Sequence, residues 1–307
     1  MSKHVIVGAG PVGTATARLL VDRGEEVVLV TRSGSGPQHA AVTRVAADAS
    51  SPARLSALTD GAGALYNCAN PPYHRWPIDW PPLASSLLSA AERSGAVLVT
   101  VSNLYAYGPV PGPMTEDLPL AATGAKGRVR AQMWRDALAA HTAGRVRATE
   151  VRSSDYVGRG SESHLGRPVP KLLRGRGVSV MRSADTPHTW TAVDDVARLL
   201  VTVAGDERAW GRPWHTPSNP PRTQREGLDD IARTAGLHPV KVSEHSPTLL
   251  RAMGLFSPMM RELPEVAYQF EQPFVLDSTA AEETFGLAPT PWEVVLKEVV
   301  DYYRSRT

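Results

Sequence analysis

Gly8, Gly10 and Gly13 are spaced G-x-G-x-x-G in the opening stretch KHVIVGAGPVG, with Pro11 and Val12 between the second and third. That spacing suits a pyrophosphate. The first glycine permits a tight turn, the second lets phosphates approach the backbone, and the third lets a helix pack close to the preceding strand. The N–H groups and dipole at the start of such a helix favour negative charge. The pattern carries this meaning only in a strand–turn–helix–strand setting. Val5 to Val7 is a short apolar run, TATARLLVDRG reads as a helix ending near Gly24, and Glu26 to Val30 is a second apolar run. The stretch therefore reads as a dinucleotide-binding βαβ unit rather than a structural glycine turn.

The second strand ends in Val30-Thr31-Arg32-Ser33. An acid here would bind a ribose 2′-hydroxyl and repel a 2′-phosphate. None is present. Arg32 offers a planar cation and Ser33 a hydroxyl, which favours NADP(H) over NAD(H). The alternative is that Arg32 is a solvated loop charge. A third strand, Val42 to Ala46, leads to Asp48, which either contacts adenine or caps a helix starting near Pro52. A fourth, Gly63 to Asn67, runs into Cys68-Ala69-Asn70. In open α/β sheets the C-terminal ends of strands face the ligand, so Ala69 and Asn70 belong at the cofactor. Cys68 reads as a small packed residue.

Asn70 to Pro82, NPPYHRWPIDWPP, holds five prolines, two tryptophans, a tyrosine and a histidine. Proline removes a backbone donor and breaks helix interiors, so the segment reads as irregular. It is either a rigid surface loop or an aromatic wall, with Trp76 and Trp80, beside a substrate. A helix from Leu83 to Arg93 and a fifth strand from Ala96 to Val101 are expected next.

The glycine motif, Ser102-Asn103-Leu104-Tyr105-Ala106-Tyr107-Gly108 after strand five, Thr115-Glu116-Asp117 with Pro119, and Asp194-Asp195-Val196-Ala197 together resemble the extended short-chain dehydrogenase/reductases. The resemblance includes their NAD-dependent epimerase/dehydratase group and runs nearly the whole chain in order. It implies a Rossmann-type α/β fold, a doubly wound parallel sheet with a smaller C-terminal substrate-binding region. It also implies residues 1–160 as dinucleotide-binding core and 161–307 as mainly substrate-binding or lid region, with 178–204 returning to the core.

The chain departs from the family where its chemistry is done. Members carry a catalytic Ser or Thr after strand five, where Asn103 stands here. They carry Tyr-x-x-x-Lys on the next helix, and here ATGAKGRVRAQMWRDALAAH has no tyrosine. The alignment puts Lys126 at the tyrosine and Arg130 at the lysine. One turn apart, both can face the cofactor. Arg130 can hydrogen-bond a ribose or stabilise an oxyanion. Lys126 is either a general acid or a cofactor-binding cation. Asn103 can orient a carbonyl, and Tyr105 and Tyr107 are candidate proton donors or packing residues. By the same resemblance Ser102 and Ser153 lie at the cofactor. The stretch from Arg152 to Gly158, after a sixth strand from Arg145, lies beside the nicotinamide. Asp155 replaces the usual Asn and, with Tyr156, is a candidate substrate contact, or else a turn former.

Residues 159–187 read as loop-rich, with a helix near Val169 to Arg174 and a strand near Val178 to Met181. His188 and Trp190 are candidate lining of a substrate cleft, although a lone histidine is more often structural. Asp195 reads as structural, at the start of a helix running to about Val203. Thr223-x-x-Glu226 is a capping box for a helix to Ala235. The Met- and Leu-rich segment 246–270 reads as helical, either core or an adaptable lid. Phe274 to Asp277 reads as a strand and Pro291 to Arg304 as a closing helix.

Composition narrows the function classes. The 307 residues are 42% apolar and 21% charged with a formal charge of +2, a globular balance without the basic stripe of a nucleic-acid binder. No apolar run reaches the ~18 residues of a membrane span, and the N-terminus enters a strand without a signal sequence. One cysteine excludes an intrachain disulfide. The histidines form no metal-ligand pattern. The expectation is a cytoplasmic oxidoreductase with a small-molecule partner and no metal, nucleic acid or membrane. Its oligomeric state is open. The overall pattern also resembles atypical ketoreductases of angucyclinone polyketides. This implies NADPH-dependent reduction of a bulky aromatic ketone in antibiotic biosynthesis, with the proton supplied by the substrate. The alternatives are a non-catalytic NADP-binding regulator and a sugar-nucleotide epimerase or dehydratase.

Overall fold

The computed structural model describes residues 2–245 and 261–306. Short extended runs, mostly buried at the centre of the sheet and largely exposed at one edge, make parallel strands. These are β1 (Lys3–Val7), β2 (Glu26–Thr31), β3 (Val42–Ala46), β4 (Ala62–Asn67), β5 (Val97–Asn103), β6 (Ala148–Ser153) and, much later, β10 (Pro213–His215). They form one seven-stranded sheet in the order β3-β2-β1-β4-β5-β6-β10, with every pairing parallel. Val5 pairs with Val28 on one side and Leu65 on the other. The order reverses between β1 and β4, which is where doubly wound sheets hold ligands.

Helices α1 (Pro11–Asp22), α2 (Pro52–Thr59), α3 (Trp76–Ser94) and α4 (Ala125–Thr142) cross between these strands. Helix α3 corrects the sequence reading, which left Asn70 to Pro82 irregular. Pro77 lies in the first turn, where no intrahelical N–H bond is made. Pro81 and Pro82 lie inside and forfeit bonds. Their cost is offset by burial of Trp76, Trp80, Leu83 and Leu87, an i, i+4, i+7, i+11 stripe. Gly95, left-handed at φ 70°, ends the helix.

Contacts divide the chain into two units, Met1–Tyr107 with Leu120–Ser153 and Val196–Thr216, and Gly108–Pro119 with Ser154–Asp195 and Pro217–Thr307. The first holds the seven-stranded sheet. The expected boundary at 160 falls at 153/154, and 196–216 is the stretch that returns to the sheet.

The second unit pairs β7 (Asp155–Val157) with β9 (Trp190–Ala192), and β8 (Val178–Val180) with β11 (Val242–Glu244). Its helices are α5 (Val169–Leu172), α7 (Gln224–Thr234), α8 (Thr279–Phe285) and α9 (Trp292–Arg304), while α6 (Val193–Gly205) begins in this unit and continues in the first. Leu165, Leu228, Ile231, Val295 and Val299 lie in its core. The Thr223–Glu226 capping box is formed, opening α7 directly after Thr223. Asp195 is structural: its carboxylate accepts from the Thr290 backbone and hydroxyl. The strand expected at Phe274 to Asp277 is reduced to isolated bridges at Phe274 and Leu276. Of the Met-rich segment 246–270, residues 246–260 lie outside the described residues, and Leu263–Phe270 forms a 3-10 helix. Among the described residues no helix is long and apolar enough to cross a membrane.

Candidate functional site

The turn from β1 to α1 is built as its glycines require. Gly8 has φ +104°, and a Cβ there would meet the Cys68 carbonyl oxygen at 2.6 Å. A Cβ on Gly13 would lie 2.0 Å from the Gly8 carbonyl oxygen. Gly10 differs: nothing lies within 4 Å of its Cβ position, so its missing side chain leaves open space. Gly10 is the N-cap of α1 and offers no side chain to the first-turn N–H groups, and Pro11 follows. Bare donors beside open space are the cradle a pyrophosphate needs.

That space belongs to a cleft of about 660 Å³ in the first unit. Of the expected cofactor residues, Gly8, Gly10, Thr31, Arg32, Ser33 and Asp48 line it, as do Ala69 and Asn70. Pro11, Val12 and Gly13 form the start of α1 behind it. Asp48 does not cap α2, whose N-cap is Ser51. Its Oδ1 accepts from the Ser50 backbone N–H at 2.9 Å and hydroxyl at 2.7 Å. These bonds, with the charge of Arg32 as a smaller contribution, hold its carboxyl below the usual range. The Arg32 guanidinium makes no hydrogen bond or ion pair with a described residue. Sequence reasoning missed Ser35, Arg75 and Asp79, which also line the cleft. The Arg75-x-x-x-Asp79 spacing at a helix start is the signal that finds the last two. Cys68 lines it too, but burial pushes its thiol up to about 12 despite a hydrogen bond from Thr16, so it is no thiolate nucleophile.

Ser102, Lys126, Arg130 and Ser153 stand outside the cleft walls. Lys126 is 1% exposed, with its Nζ 5.8 Å from the Tyr73 ring centre. The Arg130 guanidinium sits in the corner of the T-shaped Trp76–Trp80 pair, 4.6 and 4.5 Å from their ring centres, and donates to the Val101 carbonyl. Ser153 is buried against Thr216, hydroxyl to hydroxyl at 2.8 Å. Ser102 is also buried, and its hydroxyl has no hydrogen-bond partner among the described residues. Asn103 turns its amide oxygen to the Tyr105 backbone N–H at 3.2 Å. The placement of α4 depends on Gly127, where a Cβ would meet the Tyr105 carbonyl oxygen at 2.5 Å.

Several expected substrate contacts are packed instead. Trp76 is 1% exposed, and its indole donates to the Pro71 carbonyl, so it is a core residue and no open wall. Tyr105 is buried beside it, with its hydroxyl 2.8 Å from that of Tyr73. Tyr107 accepts from Arg152 at 2.7 Å and bonds His215 Nε2 at 2.8 Å, and Arg152 also donates to Glu150 at 2.7 Å. A phenol committed to this buried network is not a free donor.

In the second unit His188 is 0% exposed and Trp190 2%. The His188 ring stacks on Phe270 at 4.8 Å and on Phe274 at 5.2 Å. Its Nδ1 faces the Gln269 carbonyl and its Nε2 the Asp155 carboxylate, each at 3.0 Å. A carbonyl can only accept, so Nδ1 is the donor to Gln269. Burial pushes the Asp155 carboxyl up, but the His188 hydrogen bond and the charges of His188, His164 and Arg167 outweigh it and hold it low. Tyr156 is half-buried.

Solved structures of the same fold cover nearly the whole chain. The dTDP-glucose 4,6-dehydratase of Bacillus anthracis, in complex with NAD, superposes with a TM-score of 0.82 at 16% identity over 99% of this chain and 97% of that one. The UDP-glucose 4-epimerase of Thermotoga maritima, solved with UDP-glucose, gives 0.80 at 16% identity over 99% of both chains. DesIV, a dTDP-glucose 4,6-dehydratase of Streptomyces venezuelae with NAD bound, gives 0.80 at 18% over 99% and 97%. At these identities the likeness is one of fold. No curated protein matches the chain significantly. The family model described as the NAD dependent epimerase/dehydratase family matches residues 4–213. That span carries the glycine turn, the cleft and α4, and it makes this chain a member of the NAD dependent epimerase/dehydratase family.

Proposed function

We propose that the chain binds NADP(H) in the cleft and reduces a ketone on a bulky, phenol-bearing aromatic substrate of the angucyclinone polyketide type. The observation that carries the cofactor choice is the end of β2, where Arg32 lines the cleft with its guanidinium uncommitted, beside Ser33 and Ser35, and with no acid at that position. Bound NADPH would supply the hydride. The residues of this chain bind and orient it: the α1 N-terminus takes the pyrophosphate and Arg32 the 2′-phosphate. The absence of a tyrosine from α4, and the enclosure of Lys126 and Arg130, support a proton drawn from a neighbouring phenol of the substrate. The test follows NADPH and NADH oxidation by absorbance against hydroxylated aromatic ketones. Turnover with NADPH and such a ketone is expected. Preference for NADH would refute the reading of Arg32.

A second reading is favoured by the same enclosure. With no acid–base pair exposed on α4, the chain would bind NADP without turnover, as a regulator. NADPH binding with no oxidation across the panel would favour it. The neighbours' sugar-nucleotide chemistry is a third reading, for which tightly co-purifying NAD would be the sign.

A further inference from the structure

The residues that open α3 also contribute to the cleft, and two of them carry charge. Arg75 and Asp79 both line the cavity that Arg32 and Ser33 line. They are bonded to each other in a fork, Arg75 Nε to Asp79 Oδ2 at 2.8 Å and Nη2 to Oδ1 at 2.6 Å. A guanidinium has five N–H donors in one plane. The fork uses one edge, which leaves both hydrogens of Nη1 and the second of Nη2 directed away from Asp79.

The Asp79 carboxyl is held low first by the hydrogen bonds of Arg75 and then, against a cost of burial, by the charges of Arg75, Arg32 and His74. Arg32 from the end of β2 and Arg75 from the start of α3 line the same cavity. Asp79 has its charge matched by Arg75, and Oδ1 of Asp48 is taken up by Ser50. What the rim offers an incoming dianion is therefore the uncommitted head of Arg32, the unused edge of Arg75 and the linked hydroxyls of Ser33 and Ser35, 3.0 Å apart. Two planar cations around a phosphate are the arrangement that guanidinium geometry favours.

We infer that Arg75, held in place by Asp79, is a second cation for the 2′-phosphate of the cofactor, acting from the start of α3 together with Arg32. The inference rests on the NADP(H) reading. It makes the 2′-phosphate site a joint feature of the start of α3 and the end of β2.

The test uses the full chain and two fragments of the cofactor, 2′,5′-ADP and 5′-AMP, with affinity measured by calorimetry. The Arg75 side chain is 49% exposed, and a surface i, i+4 pair contributes little to stability, so its variants should fold. Arg75→Ala is expected to weaken 2′,5′-ADP about tenfold and leave 5′-AMP within about twofold, as loss of one charge-assisted phosphate contact requires. Arg75→Lys, which keeps charge but loses the fork, should fall between. Equal weakening of both fragments would overturn the inference, because Arg75 would then be contacting adenine or ribose. No change with either fragment would also overturn it. A wild-type chain that does not prefer 2′,5′-ADP over 5′-AMP would sink the NADP(H) reading itself, and that result is distinct from failure at Arg75 alone.

Discussion

Gly10 and Gly13 stand three residues apart in one turn, yet alanine should do opposite things to them. At Gly13 the new Cβ would lie 2.0 Å from the Gly8 carbonyl oxygen and 3.2 Å from the Cys68 Cβ. The first neighbour is backbone and cannot rotate away. Overpacking costs about 1–3 kcal/mol, and a backbone overlap belongs at the upper end, about 3 kcal/mol. Unfolding entropy of about 2.1 cal/mol/K per residue, over 307 residues, turns that into a loss of about 5 °C in Tm. At Gly10 the backbone is at φ −68° and ψ −176°, which any residue adopts, and the Cβ meets nothing within 4 Å. The entropic gain of about 0.4–1 kcal/mol from Gly→Ala is offset by the poorer N-cap, so Tm should move by no more than about 1 °C. The methyl would instead project into the space proposed for the pyrophosphate. The same 1–3 kcal/mol overpacking cost, now charged to the complex, corresponds to a factor of about 5–150 in affinity. Thermal unfolding and calorimetric titration with NADP+ separate the two effects. The reasoning fails if both variants lose Tm together, or if Gly10→Ala binds the cofactor within about twofold of wild type.

Glu150→Gln should destabilise the chain by about 3 kcal/mol, because it strands the buried Arg152 charge; Glu150→Met with Arg152→Met should cost less than either single change, read by chemical denaturation. Burial holds the His164 imidazole below its ordinary value, so its contribution to stability is complete above about pH 6.5 and is lost as pH falls through the lower folded value. His4 is lowered in the same direction, so the test is a difference: Tm of wild type should fall more steeply between about pH 7.5 and 5 than Tm of His164→Gln. Lys126→Met should keep kcat with an aromatic ketone within about threefold, whereas a general acid would cost about 10²–10⁴-fold on removal; a loss of that size would make Lys126 the proton donor.

Six of the seven strands of the sheet were legible because their signals are local; β10 (Pro213–His215), only three residues long, carries no such signal. Val5 to Val7, Glu26 to Val30 and the later apolar runs need no distant partner to declare themselves, and the glycine spacing adds a turn only one geometry satisfies. Helix α3 is hidden from the local sequence because each proline taken singly is a breaker, while the stripe Trp76, Trp80, Leu83, Leu87 acts over the whole helix. The cleft followed from strand ends, as the rule for open sheets allows, except at Arg75 and Asp79, which reach it from a helix the sequence reading did not extend that far. The packed aromatics were beyond reach for a different reason. Tyr107 is enclosed by Arg152 and His215, the latter 108 positions away, and His188 by Phe270 and Phe274. Residue type says what a ring can do, and only the fold says whether anything can reach it.

Lys126 and Arg130 on α4 and the odd composition of Asn70 to Pro82 form one physical unit. A lysine and an arginine one turn apart on a buried helix face carry two positive charges into low dielectric, and such charges persist only with partners. The Pro-rich segment supplies them. Trp76 and Trp80 form a corner around the Arg130 guanidinium, and Tyr73 sets its ring near Lys126 while bonding Tyr105. Aromatic faces are worth about 0.5–2 kcal/mol each to a desolvated cation. Gly127 is what lets α4 meet the turn bearing Tyr105. The aromatic residues of the Pro-rich segment that could have walled a substrate are occupied in holding these two cations. Replacing Lys126 by tyrosine alone would therefore not open this helix face to a substrate, because the aromatic cage would remain around it.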